Sequence, residues 1–340
     1  MESDIAGEEG SIGKIAKQRG NNEKEKRARS TTLVGTILML TAGSVFGVGD
    51  IFTKSVYNSG VNLPFNFSIV RLWISLLVYL VLIAYSGLLP KLAIPPKLLW
   101  RPFIYGVMVA AFTGFFLTSI EHTSVANATL LIYTAPIYLA IIGRLWLSET
   151  LTREKIIGII LALVGAAFVI GVPTGMHLFD STHFLGDSLA AVAGVATAGV
   201  FVAGKIQSQK VDSKIVAFYG FLFASLILLP VAVVTEGFDL AGLAPGLPFI
   251  LGSALASSLA YLITLLGLKR IEATKASIYS LMEPIVASLL AALILSEAVD
   301  EYTVIGGLLI VAAVIVIYIR SPPEKKPTGE SSEELPDALR

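Results

Sequence analysis

From residue 33 to residue 320 the chain alternates long apolar stretches with short polar interruptions. The apolar stretches fall at approximately 33–53, 65–86, 102–120, 124–146, 153–172, 185–206, 212–234, 247–268, 275–297 and 301–319. A helix needs about 20 residues to cross a hydrocarbon core roughly 30 Å thick, and these runs have that length. The interruptions carry turn chemistry. Segment 57–64 holds Asn58, Ser59, Gly60 and Pro64, segment 89–102 holds Pro90, Pro95, Pro96 and Pro102, and segments 173–184 and 236–248 are polar with Gly and Pro. The pattern predicts an all-α integral membrane protein of ten transmembrane helices.

Composition sharpens this picture. Of 340 residues, 55% are hydrophobic and 15% charged, against roughly a quarter charged in a soluble domain. Mean hydropathy is +0.78. The formal net charge of zero gives no footprint for nucleic acid, and zero cysteines exclude disulfides and thiolate metal sites. The polar first 30 residues lack the apolar core of a signal peptide, so the first apolar helix is expected to direct insertion. The Pro-, Glu- and Ser-rich segment 321–340 reads as disordered.

The basic residues set an orientation. They gather in the N-terminal tail (Lys14, Lys17, Arg19, Lys24, Lys26, Arg27, Arg29), in alternate loops (Lys91, Lys97, Arg101; Arg144, Arg153, Lys155; Lys205, Lys210, Lys214; Lys269, Arg270, Lys275) and in the C-terminal tail. Lys54 alone lies on the opposite side, and Arg71 lies inside a span. The positive-inside rule then puts both termini in the cytoplasm, with Trp100 and Trp146 in an interfacial belt.

The chain also resembles itself. Ala128, Pro136, Ile137, Leu145, Leu147, Ser148, Glu149, Ile157, Gly158 and Leu161 recur 148 positions later as Ala276, Pro284, Ile285, Leu293, Leu295, Ser296, Glu297, Ile305, Gly306 and Leu309. At an offset of 151, Gly35, Ala42, Gly43 and Lys54 match Gly186, Ala193, Gly194 and Lys205. Each copy holds five spans, an odd number, so the second is upside down relative to the first. Inverted repeats are a common build for secondary transporters. The expected organisation is a cytoplasmic basic tail at 1–32, a first five-helix repeat at 33–172, an extracytoplasmic linker at 173–184, a second, inverted repeat at 185–320, and a cytoplasmic tail at 321–340.

These stretches, 124–158 and 274–306, resemble the EamA family of the drug/metabolite transporter superfamily. In each, an Ala-rich helix start leads to Pro136 or Pro284, then to Leu-Ser-Glu ending at Glu149 or Glu297, then to Gly158 or Gly306. The segment at 43–49 (GSVFGVG) is similar to the family's first span, with Phe46 where Trp is commoner, and Arg71 matches a frequent family arginine. The resemblance covers about 33–320. It implies a 5+5 fold with a central cavity lined by spans 1–4 and 6–9, and spans 5 and 10 at the periphery. The family moves amino acids, metabolites, nucleotide-linked sugars and drugs, so the resemblance does not choose a solute.

Several residues are candidates for a solute site. Asp50 and Arg71 sit at similar depth in the outer third; charges inside spans usually face the interior. They suit either a structural ion pair or an Arg71 clamp on a carboxylate or phosphate. Glu283, whose repeat counterpart is Ala135, suits proton coupling, an ammonium ligand or an interhelical hydrogen bond. Tyr133, Tyr138, Tyr219, Tyr261 and Tyr279 are candidates for cavity lining or for packing. Pro136 and Pro284 are expected to kink their helices, as gate pivots or fixed bends. Glu149 and Glu297 are expected to accept from exposed helix N–H groups near Thr152 and Asp300. Gly158, Ala162, Gly165 and Ala166 form a stripe for close helix approach, within the fold or at a homodimer seam.

His122, His177 and His183 lie in or beside outer loops, and no HExxH, P-loop or metal spacing occurs. No cofactor and no metal are expected, nor an enzyme. The reading is a secondary carrier in the cell membrane. Its partners are a small-molecule substrate, a proton or counter-solute and the lipid bilayer. The alternatives are an exporter of amphipathic drugs or amino acids by proton antiport, and a non-transporting sensor.

Overall fold

The computed structural model describes residues 2–171, 178 and 181–320, the side chains of 2–25 and 27 excepted. The tail at 321–340 and most of the linker at 173–184 lie outside the described residues. Those described form helices and turns, with no strand among them. The long helices are α1 (Glu2–Asn58), α2 (Pro64–Tyr85), α3 (Trp100–Ile120), α4 (Val125–Ile132), α5 (Ala135–Trp146) and α6 (Arg153–Ile170). They continue as α7 (Phe184–Ser208), α8 (Ser213–Glu236), α9 (Leu247–Leu268), α10 (Ala273–Ser280), α11 (Met282–Leu295) and α12 (Glu301–Arg320).

Among the described residues, nine helical stretches are long and apolar enough to cross a membrane, counting α4–α5 and α10–α11 as one each. The stretch expected at 153–172 is helical, as α6, but falls outside that count. Its first turn carries Arg153, Glu154 and Lys155. The apolar remainder, 156–170, covers about 22 Å at 1.5 Å per residue, short of a full hydrocarbon core. Its N-terminus is capped by Thr152, which accepts from the Lys155 N–H, and it stops at Gly171 in the left-handed region (φ 93°).

The two prolines interrupt their spans. Pro136 and Pro284 stand in the first turn of α5 and α11, just after the breaks that end α4 and α10. Proline has no N–H to return to the carbonyl four residues back, and its ring crowds the preceding turn. The 148-residue offset carries α4 onto α10 end to end, Val125 to Ala273 and Ile132 to Ser280, and the start of α6 onto that of α12. It also carries Ser148 onto Ser296, both left-handed at φ 55° and 56°. The following Glu149 and Glu297 N–H groups fold back on the Gly143 and Ala291 carbonyls at 2.9 and 3.3 Å. The Leu-Ser-Glu motif is thus a helix-stopping turn whose glutamate N–H finds an acceptor on a last-turn carbonyl, which the helix end already shares with a second N–H.

The stripe on α6 is used inside the fold, against α12. A Cβ on Gly165 would come 2.7 Å from the Gly306 carbonyl oxygen, and Ala162 and Ala166 are fully buried. Small residues let these backbones touch, and close packing stands in for the hydrophobic effect that lipid cannot supply. Helix α1 meets α11 in the same way, with Gly47 against the Glu283 carbonyl.

Candidate functional site

The packing leaves a cavity of about 700 Å³ between α1–α5 and α7–α11. Asp50, Arg71, Tyr133, Tyr261, Glu283 and Pro136 all line it. Asp50 projects from α1 with its side chain open to the cavity. Arg71 on α2 lies over the Phe67 ring, 5.3 Å from its centroid. The two feel each other's charge, yet among the described residues no ion pair within 4.0 Å joins them. A cavity wide enough for a solute separates what a closed hairpin would have paired.

The first turn of α11 delivers Glu283, and the Tyr133 hydroxyl at the end of α4 donates to its Oε1 at 3.2 Å. Both residues sit at the helix breaks, so the interruptions that proline imposes are also what turns these polar groups inward. Tyr261 on α9 is held edge-on by Phe46 and Phe221, at 5.1 and 5.0 Å between centroids. Such T-shaped contacts match a ring edge to a ring face.

Three tyrosines and one proline among the candidates stand elsewhere. Tyr279 is 1% exposed in the apolar cluster with Leu139 and Ile310, and Tyr138 packs against that cluster from the side. Pro284 is buried in the α11 turn without lining the cavity. Tyr219 donates to the Leu92 carbonyl at 2.5 Å, in a loop contact. Conversely Thr53, Thr197, Phe221, Ser257 and Ser280 line the cavity, although nothing in the sequence marks them. Small hydroxyls in a span satisfy themselves on the preceding turn, as Thr53 and Thr197 do on Gly49 and Ala193, so sequence gives no sign of where they face.

The cavity is open at the end that carries Lys54 and Asn58, both exposed lining residues, and Val125 at the start of α4 is 60% exposed beside them. The other end is sealed by charge. Glu149, 5% exposed, accepts from the Ala273 and Thr274 N–H groups at 2.6 and 3.2 Å and from the Thr274 hydroxyl at 2.8 Å. Lys205 lies 3.3 Å from it and also donates to the Ile271 carbonyl. So the carboxylate caps a helix, but α10 from the other repeat rather than its own neighbour α6. Thr152 and Asp300 cap α6 and α12 themselves. Beside this lock, Lys155 and Lys275 both meet Glu272, at 2.7 and 3.1 Å. Glu297, the counterpart of Glu149, caps no helix among the described residues and pairs with Lys54 at 2.5 Å in the open mouth, each side chain nearly half exposed.

The chain is 27% identical over 204 residues to an uncharacterized transporter of Archaeoglobus fulgidus, covering 58% of this chain and 68% of that one. It is 24% identical over 241 residues to the uncharacterized transporter YetK of Bacillus subtilis (67% and 72%), and 23% over 288 residues to one of Clostridium kluyveri (84% and 93%). A solved crystal structure superposes with a TM-score of 0.71 at 19% identity, covering 84% of this chain and 96% of the other, a likeness of fold. The names of these relatives point to transport rather than catalysis. The EamA-like transporter family matches residues 33–171 and 184–319. Two tandem matches, broken helices meeting at a shared cavity, and nine stretches of spanning length among the described residues agree on one assignment: this multi-pass integral membrane protein belongs to the EamA-like transporter family.

Proposed function

We propose that the protein is a secondary transporter that moves a small organic solute by alternating access between two inverted five-helix repeats. In this reading ten helices span the membrane, α6 being the tenth, and both termini are cytoplasmic. The open mouth at Lys54 then faces outward and the Glu149 lock faces the cytoplasm.

One observation carries the reading: the lock and the open mouth are made of repeat-equivalent residues in opposite states. Lys205 and Glu149 seal one end over the α10 N-terminus. Lys54 and Glu297 correspond to them by offset and stand apart from the α4 N-terminus, which corresponds to that of α10. Exchanging the two halves' conformations would bring Glu297 onto α4 and release Glu149 from α10. That exchange is a two-state element in which one end closes as the other opens.

The chain has no cysteine, so a single introduced thiol reports access directly. Ser280→Cys, on the cavity wall, is placed in liposomes and challenged with a membrane-impermeant maleimide from either side. A carrier labels from both sides, and conditions that speed one rate slow the other. Labelling from one side only would indicate a receptor-like pocket, and two independent rates would indicate a channel; either result would sink the proposal.

A further inference from the structure

The chemistry facing the cavity narrows the solute, on the assumption that the transport reading holds. Three acidic or basic side chains of the spans point into it: the carboxyl groups of Asp50 and Glu283 and the guanidinium of Arg71. Lys54, the fourth charged lining residue, is already engaged by Glu297. Asp50 and Glu283 lie within electrostatic range of one another, and Gly47 brings the α1 backbone against the Glu283 carbonyl one turn from Asp50. Among the described residues, neither carboxylate has a cation within 4.0 Å, and Asp50 has no hydrogen-bond partner. The Tyr133 hydroxyl satisfies only one oxygen of Glu283. The cavity therefore presents two carboxylates against one guanidinium.

A charge deep in a membrane protein is costly unless it is paired or lines a water-filled path. Two unpaired carboxylates at one site favour a cation over an anion. The surroundings fit an organic cation: Phe46, Tyr261 and Phe221 form an aromatic wall, which offers ring faces to an ammonium and apolar surface to its carbon body. A bare metal ion would find few converging oxygens in so large and so aromatic a space, and no group of acidic or histidine ligands suited to one occurs among the described residues.

We infer that the cavity selects solutes of net positive charge, with an ammonium group seated between Asp50 and Glu283 and the carbon body against the Phe46–Tyr261–Phe221 wall. Arg71 sets the polarity of binding, repelling the cationic end and leaving it to the carboxylates. A second, anionic group on the solute would turn toward Arg71.

The test uses probes that share one ring and differ in charge: phenethylamine, phenethyl alcohol and 3-phenylpropionate. The readout is protection of Ser280→Cys from maleimide in the purified, liposome-embedded protein. The amine is expected to protect at a concentration at least about tenfold lower than the alcohol, and the propionate to protect least. Asp50→Asn and Glu283→Gln should each abolish the amine's advantage over the alcohol, since truncating one partner of a buried charge pair costs tenfold or more. Arg71→Gln should improve propionate protection and spare the amine. Folding of each variant is checked by its unprotected labelling rate, which a misfolded protein would not keep. Stronger protection by the propionate, an amine effect indifferent to both carboxylate substitutions, or no protection by any probe at about 10 mM would overturn the inference. None of those outcomes touches the two-sided labelling on which the transport reading stands.

Discussion

Glu149→Gln offers the sharpest perturbation of the proposed transport cycle. The native carboxylate receives two backbone N–H groups and one hydroxyl, and it neutralises Lys205, all in a site where it is 5% exposed. Removing one partner of a buried ion pair costs about 3–5 kcal/mol. The amide oxygen of Gln still accepts from the α10 N-terminus, so the low end, about 3 kcal/mol, applies. In the proposed exchange these contacts exist only while this end is closed, so the whole loss weighs against the outward-open state. At 1.4 kcal/mol per tenfold, the ratio of outward- to inward-open protein should fall about 150-fold. The assay is the rate of maleimide labelling at Ser280→Cys from the cytoplasmic side, with and without the substitution. Thr274→Ala, which removes the hydroxyl donor alone, should give about a fivefold change from a loss near 1 kcal/mol. If Glu149→Gln lowers thermal stability but leaves cytoplasmic labelling unchanged, Glu149 is a structural cap and the lock argument is refuted.

Other expectations follow from local geometry. Gly165→Ala should lower detergent-phase stability by about 1–3 kcal/mol, because its Cβ would press on the Gly306 carbonyl and the Ile310 backbone, neither of which can rotate aside; thermal unfolding checks it. Glu236→Gln should cost about 1–2 kcal/mol, since Glu236 caps α2 through the Phe65 and Asn66 N–H groups at 2.7 and 2.8 Å. Lys54→Gln should change stability by less than about 1 kcal/mol, the pair with Glu297 being half exposed. For Glu272, burial pushes the carboxyl up, but Lys275 and Lys155 outweigh it and hold the group below its ordinary 4.5. A depressed carboxylate stabilises above its unfolded pKa and loses that contribution as pH falls below it. Stability should therefore drop as pH falls below about 4.5, and Glu272→Gln should flatten that part of the profile; a profile identical to the native one would remove Glu272 from the account.

Much of the fold was legible because lipid imposes length: of the ten apolar runs in the sequence, nine return among the described residues as helical stretches of spanning length, which fit little besides a bundle that crosses a bilayer. Pro136 and Pro284 announced the breaks, and the repeat offset related the paired helices, although the exact helix starts at Val125 and Ala273 came only from the structure. The site was legible where charge stood out against an apolar background, as with Asp50, Arg71 and Glu283. It was not legible where the helix is apolar all round. Hydrophobic periodicity marks the buried face of a soluble helix, but α9 or α11 offers lipid and neighbours similar surfaces. Tyr261 could not be told from Tyr279, nor the lining Ser257 from a packing serine. Partners across the repeats were also hidden. Nothing near Glu149 in sequence points to Ala273, which is close only after the two halves are assembled.

The broken helices have a consequence for solvation. Pro136 returns no N–H to Ile132, and the Ile137 N–H turns to Thr134 instead of Tyr133. Backbone groups left open in this way cannot face hydrocarbon, where each would cost several kcal/mol. Ile132, Tyr133, Ala135 and Pro136 all border the cavity, so a resting transporter must keep it wet. Water that fills the cavity would bond to this opened backbone, and an arriving solute would compete with it. Dehydrating Ile132 and Tyr133 is a fixed cost for every candidate, and a molecule that brings a donor to those carbonyls recovers it where a purely greasy one of the same size does not. Discrimination among solutes thus begins with which water each can replace.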